Sequence, residues 1–145
     1  MSKPNDLAAL VRRYLDLQEK QIAAVHAMDT PRYNRQFDQV VAALDALEAE
    51  GQAGRAALEE LLVSPEPMVR YSVGRRVLKW NPEAAIPVLA RLLFQPFPAQ
   101  TVPYERFKVS SDAALSLFNH FGIRSFNEKD LVEPLRAFGI ELPPL

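Results

Sequence analysis

The sequence predicts an all-α fold, a right-handed stack of about seven helices, and three observations carry that expectation. Apolar residues recur at helical spacing through most of the chain. Proline repeatedly follows a capping residue, as in Thr30-Pro31 and Asn81-Pro82, where it opens a helix without cost. Two segments end in the same Phe-Gly-Ile triplet, Phe121-Gly122-Ile123 and Phe138-Gly139-Ile140, the pattern of a helix stopped by a left-handed glycine.

The first helix is expected from an Asn5 cap to about Met28. Its inward stripe is Leu7, Leu10, Val11, Tyr14, Leu17, Ile22, Val25 and Met28. The opposite face carries Arg12, Asp16 and Lys20, spaced to pair along the surface. Thr30 caps the second helix, which runs to about Glu50 with Tyr33, Phe37, Val40, Val41, Leu44 and Leu47 inward. So short a connection implies an antiparallel hairpin. A third helix is expected over about 54–63 and a fourth over about 68–79, the latter with Val69, Val73, Val77 and Leu78 inward. A fifth opens at Asn81-Pro82, with Pro87 early enough to be tolerated.

Residues 95–109 contain three prolines and no helical period, and are expected to form a long, packed, aromatic loop. A loop of this length in a compact domain is commonly functional. A sixth helix is then expected from Ser111, with Ser110 and Ser111 as its cap. A short last helix covers about 129–138. The whole is expected to be one domain, 1–145. It would comprise a core over 6–93, the loop over 95–109 and a helical cap over 110–145.

Composition narrows the function. The 145 residues are 48% hydrophobic and 24% charged, ordinary for one domain. No apolar run approaches the roughly 18 residues of a membrane span, and no signal peptide is expected at the N-terminus. With no cysteine and two histidines, disulfides, thiolate metal sites and a cysteine nucleophile are excluded. No cofactor is expected, and a cytoplasmic setting fits. There is no phosphate-binding glycine loop and no nucleophile elbow, so the chain is expected not to be an enzyme. His26, His120 and the Asn34, Arg35, Asp38 cluster read as surface or packing residues.

A net charge of −1 argues against a nucleic-acid binder. The charge is uneven: residues 1–66 hold 7 basic and 11 acidic side chains, and residues 67–145 hold 10 basic and 7 acidic.

The segment Leu61-Leu62-Val63-Ser64-Pro65-Glu66-Pro67-Met68-Val69-Arg70 has the rhythm of a HEAT-type repeat. A leucine-paired helix end leads through a proline turn into a valine–arginine opening. With Leu10-Val11, the run 32–38 (Arg32 to Asp38) and Gly54-Arg55-Ala56-Ala57-Leu58, this segment resembles a bacterial family of unknown function. That family is domain-of-unknown-function family two-zero-one-nine, and the resemblance covers residues of about 6–93. It implies a small HEAT-like helical scaffold and supplies no catalytic residues.

Two groups of residues suit a partner surface. One is acidic: Asp38, Asp45, Glu59 and Glu60. The other is Phe97, Tyr104, Arg106 and Phe107, residue types that dominate interface energetics. The competing readings are a solvated face for the first and rings buried in the chain's own core for the second. The expected function is protein binding, most concretely as an immunity protein that neutralises a bacterial toxin, with a monomer favoured. A general scaffold is the alternative. A nucleic-acid-binding repeat, using Arg70, Arg75, Arg76, Lys79 and Arg91, ranks below it.

Overall fold

The computed structural model describes the backbone of residues 4–144 and the side chains of residues 6–144. The described residues are helical, with no strand. The chain divides into two compact units, Met1–Leu61 and Leu62–Leu145. The boundary between the units falls within the 3-10 turn Leu61–Val63.

In the first unit, α1 spans Pro4–His26, α2 Thr30–Glu48 and α3 Gln52–Glu60. Helix α1 starts before Asn5, so that residue is not its cap, and the Asn5 side chain lies outside the described residues. Tyr14, Leu17, Ala24 and Val25 of α1 are buried, as are Val40, Ala43, Leu44 and Leu47 of α2. Isolated helices are marginal in water, and it is such burial that holds them together. Helices α1 and α2 form the most extensive pair in the chain, joined by three residues. The inner face of α1 also holds two buried amides that apolar periodicity passes over. The Tyr14 hydroxyl donates to Gln18 Oε1 at 2.6 Å, and Gln18 Nε2 donates to Gln21 Oε1. This row satisfies polar groups that would otherwise cost about 1–3 kcal/mol each.

Met28 is not part of the stripe. It is 72% exposed with φ at 55°. The Asp29 amide reaches back to the Ala24 carbonyl and the Met28 amide to that of Val25, both at 3.0 Å. This is the glycine-type helix stop built with methionine in the left-handed position. Asp29, not Thr30, then caps α2 by accepting from the Arg32 amide at 3.1 Å. Phe37 also departs from expectation, at 44% exposed. Helix α3 lies against the end of α2 because Gly54 lacks a side chain. A Cβ there would stand 1.7 Å from the Leu47 carbonyl oxygen.

In the second unit, α4 spans Pro67–Val77, α5 Pro82–Arg91, α6 Pro103–Phe121 and α7 Val132–Arg136. A 3-10 turn, Leu61–Val63, precedes α4, and another, Glu128–Leu131, leads into α7. Proline sits at the first turn of α4, α5 and α6, where its missing N–H is not needed. Ser64 Oγ accepts from the Glu66 amide, Glu66 caps α4, and Asn81 caps α5 through the Ala84 amide at 3.3 Å. Helices α4, α5 and α6 pack mutually around Val73, Val77, Ile86, Leu89, Val109, Ala113 and Leu117, all essentially inaccessible.

Both Phe-Gly-Ile stops form as expected. Gly122 has φ 69° and Gly139 φ 77°. The Ile123 amide bonds to the Phe118 carbonyl at 2.9 Å and the Ile140 amide to that of Leu135 at 3.1 Å. Edge-on rings at Phe118 and Phe126, 5.8 Å apart, and tilted rings at Phe121 and Phe138, 6.1 Å apart, tie the C-terminal segment to α6.

The largest correction concerns residues 95–109. The irregular stretch is shorter, and α6 begins at Pro103. Tyr104, Arg106 and Phe107 are helical, and Ser110 and Ser111 lie inside the helix instead of capping it.

Candidate functional site

Three of the residues nominated from the sequence, Tyr104, Arg106 and Phe107, lie exposed on the first turns of α6. After α5, residues 92–94 form a turn and 95–98 an irregular bend, and a tight turn follows in which the Thr101 amide bonds to the Pro98 carbonyl at 2.9 Å. Val102, in an extended conformation, precedes Pro103. The Arg106 amide reaches the Val102 carbonyl at 3.1 Å, closing the first turn. Glu105, in that turn, is 1% exposed and engaged by a partner. A carboxylate there also complements the positive end of the helix. Burying Glu105 turns its neighbours on either side, Tyr104 and Arg106, toward solvent.

Tyr104 is 52% and Phe107 69% exposed. Tyr104, Phe107, Ser111 and Leu115 are three or four residues apart, so they share one face of α6, and all four are exposed. Beside this face lies a half-open groove of about 340 Å³, lined by residues 92–97 together with Arg106 and Ser110. Arg106 and Ser110 stand one turn apart on its α6 wall. Leu93 and Phe97, half-buried, and Phe94, exposed, form its apolar side, with buried Leu92 beneath. Phe97 and Arg106 thus meet at one groove, whereas Tyr104 and Phe107 do not line it: Phe107 lies roughly 100° and Tyr104 roughly 160° around α6 from Arg106. Three of the four aromatic-set residues are exposed; Phe97 alone is half-buried.

No protein-family model, curated protein or solved structure matches the chain.

The acidic set belongs to the first unit. Asp38 and Asp45 are exposed on α2, seven residues apart and so on the same side, roughly 10 Å along the axis. Glu59 is half-buried and Glu60 exposed, in the last turn of α3. Asp45 and Glu59 already have partners within the chain.

The basic set is dispersed. Arg70 lies roughly 140–180° around α4 from Arg75 and Lys79, and Arg76 and Lys79 are engaged by other residues. Arg70 is half-buried, and its Nε finds no hydrogen-bond partner among the described residues. Burial pulls its guanidinium below the ordinary value, with Glu66 opposing.

Tyr71 links α4 to α6. Burial pushes its phenol above the ordinary value, Asp112 adds to the shift, and Arg75, Ser116 and Lys108 oppose it. His26 and His120 are exposed, the latter edge-on to Phe121. Among the described residues, no group of three or more His, Asp or Glu is placed to hold a metal. No described helix is long and apolar enough to cross a membrane.

Glu105 and Thr101, both buried, escaped sequence reasoning. The available signal was the four-residue spacing Glu105, Val109, Ala113, Leu117, visible only if a carboxylate is admitted to the inner face.

Proposed function

We propose that this chain is a protein-binding module whose contact surface is the N-terminal half of α6 and its adjoining groove. Its most specific form is an immunity protein that binds and neutralises a bacterial toxin. The observation that carries the reading is the pair of exposed rings, Tyr104 and Phe107, one turn apart on α6, with exposed Arg106 at a groove farther round the same helix. Large rings left in water forgo a burial free energy of about 1.5–3 kcal/mol each. Aromatic and arginine side chains are the types that concentrate binding energy. The all-helical fold and the repeat-like rhythm of residues 61–70 fit a binding scaffold. The toxin assignment rests on analogy with other small helical inhibitors.

The test is co-expression with the product of the adjacent gene. Co-purification together with protection of the host is the expected outcome. The double variant Tyr104→Ala/Phe107→Ala should keep its helical spectrum and lose about 30-fold or more in affinity, the scale of a single strong contact residue. Absence of both capture and protection removes the toxin reading. Full affinity in the double variant removes the α6 surface.

A further inference from the structure

Resting on the reading of α6 as a docking surface, we infer that its groove takes an acidic, apolar peptide segment. A leucine- or phenylalanine-type side chain seats on Leu93, Phe94 and Phe97, and a neighbouring carboxylate pairs with Arg106.

The charge of the groove selects this occupant. Arg106 is the one ionised side chain among its lining residues; Gln95 and Ser110 are neutral, and no carboxylate lines it. Arg106 is exposed and makes no ion pair among the described residues. Its neighbour Lys108 differs, being held by Asp112 at 3.3 Å. A lone guanidinium offers a planar fork that matches a carboxylate in two parallel hydrogen bonds. A phosphate dianion favours a cluster of cations instead. The apolar wall sets the second requirement, because a purely polar acidic segment leaves Leu93, Phe94 and Phe97 uncovered.

Volume sets the third. About 340 Å³ is at the lower end of the roughly 300–1,000 Å³ typical of ligand sites, room for a side chain or two and not for a whole helix. The rest of the segment runs over Phe107, which stands next to Arg106 in the sequence and is open to solvent.

The experiment is a two-dimensional amide NMR titration of the full chain with a short peptide alternating aspartate with leucine and phenylalanine. The same titration is run with its asparagine counterpart. The expected result is shifts at Gln95, Phe97, Arg106 and Ser110, with affinity falling about tenfold for the asparagine peptide and for Arg106→Gln, the scale of one charge-assisted contact. Equal shifts with both peptides overturn the inference, as does no shift at millimolar peptide. So do the same shifts on raising protein concentration alone, which mark a second copy as occupant, or with a short single-stranded oligonucleotide. Loss of partner capture in Phe107→Ala with capture unchanged in Arg106→Gln leaves the docking surface standing and overturns the acidic segment alone.

Discussion

Replacing Gly54 by alanine sets two physical effects against each other, and the structure gives the sign. Gly54 is in α3, where helix propensity alone favours alanine by up to about 1 kcal/mol. Its position against α2 opposes this. The new Cβ would stand 1.7 Å from the Leu47 carbonyl oxygen and 2.8 Å from the Leu47 carbonyl carbon, where ordinary contact begins at 3.4 Å. Both atoms are backbone, so no rotamer change relieves the clash. Helix α3 has to retreat by the missing distance, about 1.7 Å. That movement loosens Leu47 and Leu58, both completely buried. Overpacking costs about 1–3 kcal/mol and occasionally more, and a backbone clash of this depth belongs at the top of that range. The net loss is about 2 kcal/mol, which lowers the melting temperature of a chain this long by about 4–8 °C. Circular dichroism at 222 nm during heating measures it. Ala56→Gly, exposed on the same helix, supplies the control, with a loss of about 0.5–1 kcal/mol from propensity alone. A Gly54→Ala protein that melts at or above the parent refutes the close approach of α3 to Leu47.

Met28→Gly should stabilise the chain by about 1 kcal/mol in urea titration, because Met28 is exposed and held at φ 55° where a side chain is strained; no gain would mean the stop is unstrained. Gly122→Ala should cost a similar amount for the reverse reason, at φ 69°. Tyr14→Phe removes the donor to Gln18 Oε1 and should lower the urea midpoint by the equivalent of about 1–3 kcal/mol; an unchanged midpoint would show that the amide row is not coupled to the phenol. Tyr71 has a raised folded-state pKa, so the protonated phenol is favoured by folding. That contribution is full below the unfolded value of about 10 and is lost as pH rises through the higher folded value. Urea midpoints at pH 9 and 11 should therefore fall more in the parent than in Tyr71→Phe, and equal falls would contradict the burial of the phenol.

Helix openings were legible wherever the signal is local. Asn81-Pro82 places a cap and a preset φ next to each other, and the glycines at 122 and 139 supply the left-handed residue of each stop. Met28 was misread because the same stop is built there without glycine, and only the fold enforces the strained angle. The first turns of α6 were hidden for two reasons. Prolines 96, 98 and 103 suggest a loop, although Pro103 is a helix opener. The inner face there is built from Glu105 and later Ala113 rather than from large apolar residues. Residue types nominate Phe97, Arg106, Tyr104 and Phe107 as a chemical group, and the structure brings Phe97 and Arg106 to one groove. That meeting depends on how residues 92–97 fold back beside α6, a tertiary relation that no local pattern encodes. Phe37 shows the converse, an apolar residue on the right stripe of α2 that remains substantially in water.

That residues 103–107 are helix and not loop changes the kinetics and entropy of any encounter. A loop presenting two rings and an arginine would surrender backbone freedom on docking, at about 1–2 kcal/mol per residue fixed. Here the folded chain has already met that cost, and buried Glu105 pins the turn that carries its neighbours. Only side-chain rotamers remain to be ordered. Such preorganised surfaces lose little on association. Variants at Tyr104, Arg106 and Phe107 should therefore differ in how long a complex lasts more than in how fast it forms.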